Sequence, residues 1–142
     1  MVEIIPLIPT DLDAVLDLWK RTEGISIRNA DSHEALLRYL HRNPAHSFKA
    51  VHDRRLVGAV LSGHDGRRGY LHHLAVDPAY RKQGVGKALV ERCLSGLREE
   101  GIEKSHVLVL ADNAGGRAFW AKLGWVKRDD LVLFSQSDSP DA

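Results

Sequence analysis

The chain has 142 residues, 44% hydrophobic and 27% charged, with a formal net charge of +1. That length suits one domain with a sizeable core. The near-neutral charge excludes a bulk basic field, so any anion site must be local. The single cysteine, Cys93, excludes an internal disulfide and argues against a cysteine metal site. It also suits a reducing cytoplasm, which is the expected location.

The first residues, MVEIIPLIPTD, have no basic n-region and no long apolar run, so no signal peptide is expected. No stretch approaches the roughly 18 apolar residues of a membrane span. Residues 2–8 are short and β-branched and read as a strand. Thr10 is the expected cap of a first helix, in which Leu12, Val15, Leu16 and Trp19 fall at i, i+3, i+4, i+7. RTEGISIRNADS breaks that pattern and reads as a loop. Asp31 or Ser32 opens a second helix, with Glu34 in its first turn and Leu36, Leu37 and Leu40 as its apolar face. Asn43-Pro44 ends it.

Residues 47–53 and 55–64 read as a hairpin turning at Asp53-Arg54. GHDGRRG is a turn cluster, and residues 70–76, YLHHLAV, form the next strand. A third helix carries Val85, Leu89, Cys93 and Leu97 at four-residue spacing and stops at Gly101. SHVLVLA reads as a strand, GGRAFWAKL as a short helix ended by Gly124, and WVKRDDLVLFS as a final hairpin bent at Asp129-Asp130. Residues 1–136 are expected to form one domain and 137–142 a flexible tail. The order β-α-α-β-β-β-α-β-α-β-β predicts a mixed α/β (α+β) sheet with helices on both faces.

The loop RKQGVGK, Arg81 to Lys87, carries the chemistry. Gly84 and Gly86 let the backbone turn tightly and approach a ligand. The helix behind them offers unpaired N–H groups and the positive end of its dipole. With Arg81, Lys82 and Lys87 they favour a pyrophosphate or similar polyanion. The plainer reading is a glycine-eased turn with solvated basic side chains. Two nucleotide patterns fail here: Lys87 is followed by Ala88 rather than a hydroxyl, and Leu89 stands where a dinucleotide fingerprint needs its third glycine.

LAVDPAYRKQGVGKALV resembles the acetyl-CoA-binding segment of the GNAT superfamily of N-acetyltransferases, whose pattern [RQ]-x-x-G-x-[GA] is met by Arg81, Gly84 and Gly86. DNAGGRAFWAKLGW is similar to a second signature of that family through Asn113, Leu123, Gly124 and Trp125. The resemblance is strongest from Tyr70 to Trp125 and implies a mostly antiparallel central sheet. It implies acetyl-CoA as cosubstrate, with its pyrophosphate on the loop from Arg81 through Lys82, Gln83, Gly84, Val85 and Gly86 to Lys87. The pantetheine would run along Leu74, Ala75 and Val76, between strands 70–76 and 105–111 splayed apart, with Asn113 hydrogen-bonding it and Trp120 packed beside it. It implies an amine acceptor attacking in a ternary complex, with a homodimer as the oligomer to expect. No nucleic-acid or membrane partner is expected.

The sequence departs from the family at one point: Trp120 stands where many relatives carry a tyrosine as acid, and an indole N–H is no practical proton donor. That departure keeps a non-catalytic acyl-CoA sensor open as an alternative, besides transfer of a longer acyl group. Tyr70 and His72 are the candidate bases: the resemblance implies a base where Tyr70 stands, since some relatives carry Glu or Tyr there, the ordinary histidine pKa suits His72 to the role, and period two puts both on one face with Leu74 and Val76. His73 falls on the other face with Leu71 and Ala75, so His72 and His73 are not expected to share a metal, and no metal is expected. The resemblance implies that the loop RTEGISIRNADS and the bend near Asp129 wall the acceptor side, with Glu23, Arg28 and Asp31 as polar candidates, where an acidic lining would suit a cationic amine.

Overall fold

Asp53 and Arg54 have φ of 49° and 63°. Two left-handed residues in a row make the tight turn that joins β2 (Phe48–His52) to β3 (Arg55–His64). From that hairpin the computed structural model, which describes residues 1–142, builds a five-stranded sheet in the order β1-β2-β3-β4-β5. β1 is Glu3–Pro6, β4 is Gly69–Val76 and β5 is Ser105–Val107. Neighbours are antiparallel except β4 and β5, which are parallel.

Each face of the sheet is sealed by helices whose apolar spacing matches it. On one face lies α3 (Val85–Glu99), which buries Val85, Leu89, Cys93 and Leu97 against Phe48, Val57, Val60 and Leu71. Trp120 of α4 (Ala114–Lys122) joins this cluster. On the other face α1 (Leu12–Lys20) and α2 (His33–Arg42) bury Leu12, Val15, Leu18, Trp19, Leu36 and Leu40 against Ala59, Leu61 and Ala75. Each fully buried large side chain stabilises the fold by about 1.5–3 kcal/mol. Ser32 caps α2 by accepting the Ala35 N–H at 3.1 Å, as its position in the sequence suggests.

The structure corrects three expectations. Thr10 is not a cap: Pro9–Asp11 is a single 3-10 turn, and Asp11 takes the Ile8 N–H and the Lys49 ammonium at 2.8 and 2.7 Å. The final hairpin does not form, so the order of elements ends at α4. Residues 131–134 lie exposed, and Arg128 folds onto Asp130 at 2.9 Å, one residue of the expected bend. A physical reason is that β5, the neighbouring edge, is only three residues long and offers little ladder for a further hairpin to pair with. The last residues are held by Asn29, whose N–H donates to the Asp141 carbonyl at 2.8 Å.

The third correction concerns β4. Ala59 pairs with Ala75, but Leu61 pairs with His72, so β4 carries one residue more than β3 across this interval. His73 adopts φ of 53° inside that bulge. Alternation breaks there. Leu71, Leu74 and Val76 all pack with the α3 cluster, while Ala75 packs with α1 and α2.

Candidate active site

β5 pairs with β4 only at Gly69–Leu71. Beyond Leu71 the two chains part, and His72–Val76 has no partner on its β5 side. That leaves a strip of unpaired main chain along β4, between the two segments that the resemblance implied are splayed. At one end of the strip is the glycine loop. At the other is a cleft walled by α2.

The loop holds its shape by local contacts. Arg81 turns back, and its Nε donates to the Val76 carbonyl at 3.1 Å. Gln83 donates to the Ala79 carbonyl at 3.2 Å. Lys82 and Gly84 both have positive φ, 59° and 81°, and Gly84 is the N-cap of α3. The first bond of the helix runs from the Ala88 N–H to the Gly84 carbonyl, so the N–H groups of Val85, Gly86 and Lys87 precede the ladder. Gly86 is small for a packing reason as well: a Cβ there would stand 3.1 Å from the Phe119 ring. The loop is thus a set of free donors and exposed cations at a helix start, which fits an anion.

Asn113 is the N-cap of α4 and accepts the Gly116 N–H at 3.0 Å. Its amide also lies where a Cβ on Gly24 would sit, at 2.5 Å, so the loop after α1 comes down onto the start of α4. Trp120 is a core residue, edge-on to Trp125 with ring centroids 4.6 Å apart.

The cleft has a volume of about 730 Å³, with His72, His73 and Tyr39 meeting Asp31, Arg38 and Arg42 in its lining. The bulge brings both histidines to one side, against the alternation expected of them. His73 donates through Nε2 to Asp31 at 3.0 Å and stands edge-on to Trp19 with centroids 4.8 Å apart. Asp31 is buried, and its second oxygen takes the Arg28 N–H at 3.1 Å. His72 lies edge-on to Tyr39 at 6.0 Å and stacks on Tyr70 at 6.4 Å. Burial, and then the charge of His73, hold the His72 pKa below its ordinary value. Burial pushes the Tyr39 phenol well above its usual range, so it stays protonated. The Cys93 thiol is buried and pushed up to about 12, which leaves it no thiolate for catalysis.

Of the expected acceptor residues, Arg28 and Asp31 line this cleft and Glu23 does not. Asp129 lies in the exposed segment paired with Lys127 at 3.3 Å. The charged side chains of the wall are mostly basic, Arg28, Arg38 and Arg42 beside the one acidic side chain, Asp31, rather than the acidic lining that would suit a cationic amine. Tyr39, Arg38 and Arg42 were legible only as helix positions. The signal that marks two of them is the i, i+4 spacing of Arg38 and Arg42 on the polar side of α2.

One cluster of possible metal donors lies elsewhere, where His46 and His64 meet the two oxygens of Glu100. The Gly66 N–H donates to His64 Nδ1 at 3.0 Å, which puts the proton on Nε2 facing Glu100. The group is therefore arranged as a hydrogen-bonded clasp between the end of β3 and the end of α3.

The profile of the Acetyltransferase (GNAT) family matches residues 12–125. An acetyltransferase of Pectobacterium atrosepticum is 32% identical over 123 residues, covering 87% of this chain and 86% of its own. One from Sodalis glossinidius is 29% identical over 126 residues, covering 89% and 88%. Among solved structures, the ribosomal-protein-S18-alanine N-acetyltransferase of Escherichia coli superposes with a TM-score of 0.71 at 25% identity, covering 87% of this chain and 77% of its own. The PaiA N-acetyltransferase of Thermoplasma acidophilum, solved with coenzyme A, gives a TM-score of 0.75 at 22% identity, covering 87% and 88%, a likeness of fold. The chain belongs to the acetyltransferase (GNAT) family and is an acyltransferase.

Proposed function

We propose that the protein moves an acetyl group from acetyl-CoA to a primary amine bound in the cleft between α2 and β4. The observation that carries this reading is the unpaired strip of β4, which joins an anion-binding helix start to a cleft containing a neutral imidazole. The donor groups fit the cosubstrate. Free N–H groups of Val85, Gly86 and Lys87, with Arg81 and Lys82 close by, suit its pyrophosphate. The main chain of Leu74, Ala75 and Val76 suits the amide groups of its pantetheine, as an added strand would. When bound, acetyl-CoA supplies an activated acetyl thioester. Asn113 supports the same path through its unengaged amide nitrogen.

His72 is the base. An amine reaches the cleft as its ammonium, and the imidazole takes the proton before attack. Because burial lowers its pKa, His72 is neutral and able to accept at neutral pH. Tyr70 backs the ring rather than lining the cleft. Trp120 lies in the core and donates no proton, so the departing thiolate takes its proton from water. The cytoplasm, with its reducing thiol pool, is the setting that suits the lone buried Cys93.

Mass-spectrometric detection of acetylated product, over free amines, peptide N-termini and aminoglycosides, tests the proposal. Transfer to at least one class is expected. Tight CoA binding without transfer to any of them would support the sensor instead.

A further inference from the structure

We propose that the acceptor carries an anionic group besides its amine, and that Arg28, Arg38 and Arg42 hold it. The inference rests on the acceptor cleft assigned above. Three arginines line that cleft together with the terminal residue Ala142, and its one acidic side chain, Asp31, is already committed. Asp31 spends one oxygen on His73 and the other on the Arg28 main chain. The ion pairs of the chain's lysines and arginines are made by Arg21, Lys49, Arg55, Lys127 and Arg128. Arginine side chains that bond carbonyls are those of Arg68, Arg81, Arg92 and Arg117. Arg28, Arg38 and Arg42 belong to neither set, and all three, exposed to solvent, are among the residues that line one cavity.

Unneutralised cations lining a cavity repel one another and any further cation, so they disfavour a polyamine acceptor. They favour a carboxylate or a phosphate, whose oxygens match the two-pronged guanidinium. Arg38 and Arg42 are one turn apart on α2, so the fork they form is held by a helix packed through Leu36 and Leu40. Tyr39, between them in sequence, faces His72. The helix thus links the anion site to the base, and an acceptor gripped at its anion presents its amine to His72.

Matched acceptors test this: β-alanine, β-alaninamide, phosphoethanolamine and ethylenediamine, each with acetyl-CoA. The two anionic amines are expected to exceed the other two at least about tenfold in kcat/KM, and their order tells carboxylate from phosphate. In the Arg38→Ala/Arg42→Ala protein, KM for the anionic pair should rise about 10- to 100-fold with kcat little changed, while the amide, which arrives as a cation, shows no such loss. Equal use of acid and amide by the wild type would overturn the proposal, as would equal losses on both in the variant. If no amine is acetylated, the transferase reading fails separately. Calorimetric binding of glutarate and of glycerol phosphate to wild type and variant then decides the anion site. Binding lost in the variant upholds it, and absence of binding to the wild type overturns it.

Discussion

His72 owes its neutral state to where it sits, half-buried behind Tyr39 and beside His73. If it takes the proton of the amine, kcat/KM rises with pH through a value below the ordinary histidine pKa of about 6.5. His72→Ala should remove that rising limb and lower kcat by about 10²–10⁴. A variant with an intact limb would exclude the role. The same shift has a consequence for stability. The folded protein holds His72 deprotonated to lower pH than the unfolded chain does, so unfolding takes up a proton between the two values. Stability from this group is full above the unfolded pKa and falls as pH drops toward the folded one. Urea titrations across that interval should show a shallower loss for His72→Asn than for the wild type. Asp31→Asn leaves His73 without its carboxylate and should destabilise by about 1–3 kcal/mol, read by the same titrations.

At the scale of elements, β4 shows what spacing can and cannot reveal. Its existence, and the helix after its glycine loop, follow from period two giving way to four-residue repeats at Val85, Leu89, Cys93 and Leu97. The loop's fitness for an anion is legible in the sequence because free N–H groups at a helix start belong to any helix. The bulge was not. It arises from a register shift against β3, and HHL carries no glycine to announce a left-handed residue at His73. That single extra residue decides which side chains enter the cleft, so the alternation argument fails at the cleft. Arg38 and Arg42 were hidden for another reason: which helix face borders a cavity depends on packing between distant segments. The glycines of the loop give an element-scale prediction. Gly84→Ala meets open space but forces a left-handed φ on a residue with a Cβ, at a cost of about 1–2 kcal/mol at the start of α3. Gly86→Val instead drives into Phe119 and should weaken both the α3–α4 contact and CoA affinity. Thermal unfolding and CoA titration separate the two effects.

For the whole molecule, the sheet is finished on both faces but not at its β5 edge. Leu131, Val132, Leu133 and Phe134 are exposed, as are Leu108 and Leu110 next to β5. Because Leu131 and Phe134 pack on nothing, Leu131→Ser/Phe134→Ser should change stability by no more than about 0.5 kcal/mol. A Tm lowered by several degrees would show that this segment docks as the hairpin its composition suggested. What unites the molecule is the unpaired strip of β4 running from the α3 helix start to the His72 cleft, and backbone amide NMR during CoA titration tests it most directly. The account predicts the largest shifts at Leu74–Val76 and Val85–Lys87. Saturable binding that leaves the β4 amides unmoved would contradict it.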